Sequence, residues 1–293
     1  MTPGAELPIL FAFLAAFCFA LAAHIQNLGS SATNSSQAIL IIVMTTAALH
    51  WLAAPFVVSP TYWLTTATLL FAITGLIRPT LSITLWVEGI KRLGPTLNAG
   101  FSASGPVFSA TFAILLIGEP LTLQIALGTL FVICGILISG IRPKGIAHEW
   151  PLWAMFLPLG AAASRALSHA ITKIGFSEVP SPVFVGLVAS TVALMVLGTR
   201  FVMAGKKFDC ERREYLCFIG SGLVTTGGIF SLNVALQAGH IIVVAPIVAS
   251  SPVFALVLAI LVFRKESPTW RTFATVALVV SGVILVILGS NSG

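Results

Sequence analysis

Ten apolar runs, each long enough to cross a bilayer as a helix, decide what this chain can become. They lie at about 7–27, 37–58, 62–89, 94–117, 121–141, 151–173, 181–203, 214–237, 240–263 and 268–289. A helical span needs roughly 20 mostly apolar residues. In hydrocarbon only helices and closed barrels satisfy every backbone group, and a barrel would show short alternating segments instead. The expected fold is an all-α membrane protein with ten transmembrane helices. The third run is unusually long and holds Arg78-Pro79 in its middle, so it reads as one tilted or kinked helix. Charged residues are only 8% of the chain against 57% hydrophobic, which excludes a soluble domain, a disordered tail and a nucleic-acid binder. The longest connection, near 204–213, carries Lys206, Lys207, Asp209, Glu211, Arg212 and Arg213 and leaves no room for a soluble domain. Cys18, Cys134, Cys210 and Cys217 form no CxxC pair and no Cys/His cluster, so free thiols, no metal and no cofactor are expected. No basic residue precedes the first run, which is therefore not expected to be a cleaved signal peptide.

The chain repeats itself at an offset of about 146 residues. Ala20-Leu21 matches Ala166-Leu167, Ile25 matches Ile171, and Gly29 matches Gly175. Ala103 to Leu115 matches Ala249 to Leu261 at 8 of 13 positions, including Pro106-Val107-Phe108 and Pro252-Val253-Phe254. After a one-residue insertion, Glu119 matches Glu266, Thr122 matches Thr269, and Gly135 matches Gly282. The halves are therefore 1–146 and 147–293, each with five helices. Because five is odd, two sequential copies face opposite ways in the membrane. Inverted repeats are a signature of secondary transporters.

Charge gives the orientation. The loops after spans one, three, five, seven and nine hold Lys91, Arg92, Arg142, Lys144, Arg200, Lys206, Lys207, Arg212, Arg213, Arg264, Lys265 and Arg271. The opposite side holds only Lys173. The positive-inside rule puts the basic side in the cytoplasm and both termini outside. A bacterial cytoplasmic membrane is the expected location.

The repeated block resembles the drug/metabolite transporter superfamily, EamA type. Leu93-Gly94-Pro95, Pro106-Val107-Phe108, Gly118-Glu119-Pro120-Leu121-Thr122, Gly128 and Gly135 carry the resemblance, and the second copy keeps Pro252-Val253-Phe254, Glu266, Thr269 and Gly282. Arg264-Lys265 precedes Glu266, so the Gly-Glu pair is broken there. The resemblance covers nearly the whole chain. It implies a ten-helix exporter or permease with a central cavity between the halves, and says little about which solute moves. Such families usually have cytoplasmic termini, which is opposite to the charge count; the count is followed here.

Ionisable groups inside a membrane are costly and mark functional sites by default. Arg78 and Arg165 lie mid-span, whereas no Asp or Glu is near the middle of any span. Paired guanidiniums suit an anion or the carboxylate of a zwitterion. The structural alternatives are that Arg78 bonds carbonyls freed by Pro79 and that Arg165 pairs with a glutamate at a neighbouring helix end. Polar stripes accompany them: Arg165, His169 and Thr172; His24 and Asn27; Asn98, Ser102, Gly105 and Ser109; Thr226, Asn233 and Gln237. Each shares one helix face, which meets a cavity or serves as packing glue. His24 and His169 are candidates for a coupling proton, with satisfied core histidines as the plainer reading. Trp86, two turns from Arg78, suits a cavity wall. Trp51, Trp63, Trp150, Trp153 and Trp270 read as interfacial anchors. Pro106 and Pro252 read as paired kinks, either hinges or fixed bends.

The expected function is a secondary transporter, an exporter or permease, moving a small anionic or zwitterionic metabolite by alternating access. Arg78 and Arg165 would supply charge, and His24, His169, Asn98, Asn233 and Trp86 would shape the cavity. The expected partners are that solute, the bilayer and a coupling proton, with no nucleic acid and a monomeric state. The alternatives are a cationic multidrug exporter, a channel, or an intramembrane enzyme. For the last there is no HExxH or GxSG; Gly220-Ser221-Gly222 lacks the first glycine, and His24, His50, His148, His169 and His240 do not cluster in sequence.

Overall fold

A computed structural model describes residues 6–29, 35–140, 151–205, 208–262 and 270–290. Trp150, His148, Arg142, Lys144, Lys206, Lys207, Arg264, Lys265, Glu266 and the 146/147 boundary lie outside the described residues. Ten helices correspond to the ten apolar runs: α1 Glu6–Gly29, α2 Ser35–Val57, α3 Thr66–Gly94, α4 Leu97–Ile117, α5 Leu123–Gly140, α6 Phe156–Phe176, α7 Pro182–Met203, α8 Arg212–Ala238, α9 Ile241–Leu261 and α10 Trp270–Ser290. Eight of them are long and apolar enough to cross a membrane whole, and α5 contributes a shorter apolar stretch, Leu123–Ile138. The third helix differs from its expected bounds. Pro60–Leu64 forms a separate 3-10 turn, and extended Thr65 divides it from α3. At the other end α3 runs on to Gly94, where φ of 77° turns the chain; that conformation favours glycine.

The two halves pack about a twofold axis, and glycines mark it. A Cβ on Gly29 in α1 would come within 2.9 Å of Cys217 in α8, and one on Gly175 in α6 would collide with the Phe71 ring in α3. Gly29 and Gly175 are repeat equivalents, and so are Cys217 and Phe71. The pattern recurs between α5 and α10. A Cβ on Gly128 would lie 2.5 Å from the Gly282 carbonyl oxygen, while Gly135 faces Thr275 and Val279. With the 147-residue offset, Gly128 corresponds to Thr275 and Gly135 to Gly282. Contact i to j is matched by j to i, the arrangement of an isologous interface. Equivalent helices run oppositely. The start of α1 and the end of α6 meet at one face, because Pro8 packs on Gly239 and Lys173 bonds the Gly239 carbonyl.

Helices α4 and α9 are each interrupted once, at equivalent places. Helical segments restart at Gly105 and Ser251, with Pro106 and Pro252 in their first turns. Proline is tolerated there because a first-turn N–H has no helical partner. Just before each proline, Ser104 donates its hydroxyl to Phe101 O (2.7 Å) and the equivalent Ser250 to Ile247 O (2.6 Å). Each hydroxyl adds a second donor to a carbonyl that the N–H of the same serine also reaches. A related hydroxyl contact appears in α3, where Leu76–Ser82 is wound as a π-helix around Pro79; there Thr80 donates to Gly75 O at 3.4 Å.

Charged side chains finish three helix ends at the face bearing Lys173. Gly118, with φ of 78°, closes α4 and turns Glu119 back into the protein. The buried Glu119 carboxylate accepts from the N–H groups of Ile241 (2.9 Å) and Ile242 (3.0 Å) at the start of α9. Lys173 donates to Leu236 O (2.7 Å) and Gly239 O (2.6 Å) at the end of α8. Glu178 accepts from the Thr66 hydroxyl (2.6 Å), Thr66 N–H (3.2 Å) and Ala67 N–H (2.7 Å) at the start of α3. Anions at N-termini and cations at C-termini also suit the helix dipole.

Two outcomes follow from this packing. Gly128→Val forces apart two backbones, so it should lower the stability of the detergent-solubilised protein by about 1–3 kcal/mol, read as a fall in melting temperature. The Thr66 hydroxyl, followed by the Ala67 and Thr66 N–H groups, holds Glu178 below the ordinary carboxylate range. Ionised Glu178 therefore stabilises the fold above that range and ceases to as pH falls through its lowered value. Glu178→Gln should melt below wild type at pH 7, with the gap closing as the melts are repeated in increasingly acidic buffer.

Candidate functional site

The interface between the halves holds two adjoining, partly open cavities of about 360 and 530 Å³. Four residues wall both: Phe19, Arg78, Trp86 and Arg165. Arg78 stands in the π-helical turn of α3, a device that often re-aims side chains at functional sites. Arg165 comes from the middle of α6 and donates to Ser82 Oγ at 3.3 Å, while Ser82 donates on to Ala161 O at 3.0 Å. The two guanidiniums border the same two cavities. Among the described residues neither has a carboxylate within ion-pair distance. Arg78 makes no hydrogen bond to a freed carbonyl there either, so neither structural alternative is found. Glutamates that might have served are engaged elsewhere: Glu88 with Arg92 at 2.8 Å and Glu119 and Glu178 at helix starts.

The other sequence-selected residues divide. Asn233 lines the first cavity, with its Nδ2 donating to Pro182 O at 3.2 Å. His169 lines the second, together with Ser102 and Ser109 of α4. Pro106 and Pro252 also border the second cavity, next to the interruptions they follow.

Two residues lie elsewhere. His24 turns away from the cavities, and its Nε2 meets Ala255 O at 2.7 Å, joining α1 to α9. A carbonyl only accepts, so that nitrogen carries the proton. Asn98 is fully buried against Gly89 and lines neither cavity. The helical stripe that joined Asn98 to Ser102 ignores the turn at Gly94, which folds α4 back on α3. The α8 stripe is also split: Thr226 bonds Thr46 of α2 (3.3 Å), and Gln237 bonds Pro180 O (2.7 Å) in the connection between α6 and α7.

Several lining residues were not singled out from the sequence, among them Gln26, Thr46, Thr74, Ser82, Ser168 and Thr225. Two carried a usable signal. Ser82 follows Arg78 by four residues and Ser168 follows Arg165 by three, spacings that share a helix face. The rest are single hydroxyls or amides on apolar helices, where packing is the common role.

A two-repeat helical bundle with charged cavities at its centre defines a class, the polytopic membrane transporters. The chain matches the EamA-like transporter family over residues 6–141 and again over 152–288, and it belongs to that family. It is thus a membrane transporter of the drug/metabolite transporter superfamily. No curated protein matches the sequence. A crystal structure described only as that of a protein aligns over 98% of this chain and 98% of its own, with a TM-score of 0.81 and 15% identity. That likeness shows the fold alone.

Because Asn98 touches neither cavity, Asn98→Ala should leave ligand affinity within about twofold of wild type, as expected for a substitution that shares no partner with the ligand. Isothermal titration with a bound carboxylate measures it.

Proposed function

We propose that this transporter moves a small anionic or zwitterionic metabolite by alternating access between the two halves. One observation carries the reading: Arg78 and Arg165 wall both central cavities without a neutralising carboxylate among the described residues. Buried charge without a partner is costly, and a bound carboxylate would relieve both guanidiniums at once. Asn233, Trp86 and His169 shape the site, and His169 is the histidine placed to exchange a coupling proton with it. The breaks at Pro106 and Pro252 serve as flex points. Glu119 and Glu178 fasten the halves at one face; access from that face requires those contacts to open. The protein works as a monomer in a bacterial cytoplasmic membrane, with its basic loops inside and both termini outside. Export is the direction we assign it.

The experiment is a thermal-shift screen in detergent with carboxylates, amino acids, phosphorylated metabolites and cationic drugs. Ligand at 100 times its Kd stabilises by about 2.7 kcal/mol. A charge-assisted hydrogen bond is worth about 1.5–3 kcal/mol, so Arg78→Gln or Arg165→Gln should weaken acid binding roughly tenfold to hundredfold. Stabilisation by cationic drugs alone would replace this reading with that of a multidrug exporter; acid binding unchanged in both variants would remove the arginines from the site.

A further inference from the structure

The two cavities that meet at the arginines offer a ligand different surroundings. The first sets the branched side chains of Ile39, Ile42, Val43, Ile83, Val185 and Ile229 among hydroxyls and amides. The second presents His169, Ser102 and Ser109. Two polar atoms there are buried and have no hydrogen-bond partner among the described residues, His169 Nδ1 and Ser102 Oγ. Buried polar groups are normally paired, so orphans beside a cavity point to a missing partner. No Asp or Glu lines either cavity among the described residues. Of the first cavity's hydroxyls, Thr74, Ser82, Ser168 and Ser190 already donate to backbone carbonyls.

We propose that the substrate is a 2-oxo or 2-hydroxy carboxylate with an apolar side chain, and that the matching amino acid is rejected. This rests on the anion reading above and narrows it. The carboxylate would lie between Arg78 and Arg165, where both cavities join. The apolar side chain would enter the first cavity, against its isoleucines and valines. The oxygen on C2 would reach the second cavity and meet His169 and Ser102. A neutral imidazole has one donor and one acceptor, and a serine hydroxyl has both. The pair can therefore serve a keto oxygen or a hydroxyl.

An ammonium on the same carbon is treated differently. It would sit one bond from the carboxylate, beside two guanidiniums, with no carboxylate to receive it. Like charges brought together out of water are strongly disfavoured. A zwitterion also carries no net charge, so it leaves the site as positive as before. A 2-oxo acid neutralises one of the two charges. Ser102 and His169 are thus specificity-determining residues: they recognise the C2 oxygen, while the arginines recognise any carboxylate.

The test is isothermal titration of the purified protein with matched pairs at pH 7: 4-methyl-2-oxopentanoate against leucine, and phenylpyruvate against phenylalanine. 4-Methylpentanoate, which lacks any C2 substituent, is the third arm. In at least one pair the 2-oxo acid should bind about tenfold or more tightly than its amino acid. Ser102→Ala with His169→Phe should lower 2-oxo acid affinity several-fold more than it lowers 4-methylpentanoate affinity. Ser102→Ala alone, a smaller change to the fold, should show the same direction with part of the loss. Amino acids binding as tightly as the 2-oxo acids would overturn this inference and leave the broader anion-or-zwitterion reading standing. Binding of no carboxylate in either pair would overturn the inference. If cationic drugs bound in its place, the broader reading would fall as well.

Discussion

In hydrocarbon every backbone N–H and C=O has to find a partner inside the protein. Much of this molecule can be derived from that demand. Inside a regular helix the demand is met automatically, so its effects show where helices stop or break. At the two interruptions Ser104 and Ser250 each donate both N–H and hydroxyl to one carbonyl of the preceding turn. The π-turn around Pro79 solves the same problem and places Arg78 at the centre of the bundle. At one face the solution crosses between repeats. Glu119, from the first half, satisfies α9 of the second, and Glu178, from the second half, satisfies α3 of the first. Each half thereby completes a helix of the other.

This has an electrostatic side. The chain has nine acidic residues, and five of the six described glutamates are held by helix-start N–H groups or by basic neighbours. Glu211 and Glu214 form a capping box at the start of α8, and Glu88 is held by Arg92 and Lys91. The centre of the bundle is left with cations and hydroxyls. A site positive in this way is not an isolated feature of two arginines; it reflects where the anions went.

Much of the architecture was legible in the sequence because the bilayer imposes a length and the repeat imposes a symmetry. Ten runs appear as ten helices, and the paired prolines lie at paired interruptions. The site was legible where charge alone sufficed, as for Arg78 and Arg165 at the cavities. It was poorly legible where the answer depended on which neighbour a helix face meets. Asn98 and Ser102 share a helical face by spacing, yet the turn at Gly94 presses one onto Gly89 and leaves the other at the cavity. His24 has the spacing of a lining residue and instead bonds a carbonyl of α9. The Gly118-Glu119 pair stood out as part of a resemblance. Its physical reason, a reversal that sends a carboxylate across to the other repeat, depends on a contact between residues 122 positions apart.

The contact between α5 and α10 bears on how evenly such a molecule divides its time. Were the two repeats identical, exchanging their conformations would return the same object viewed from the other side of the membrane. Its outward and inward forms would then have equal free energy in a symmetric bilayer. Any resting preference has to come from positions where the copies differ. One such position lies at the axis itself: Gly128 in the first copy is Thr275 in the second, a threonine buried to 1% exposure whose hydroxyl has no partner among the described residues. Under the alternating access proposed above, a difference of this kind is felt unequally as the helices exchange roles. The drift of the second copy away from the first would then be a direct source of bias between the two faces, separate from any contact with the solute.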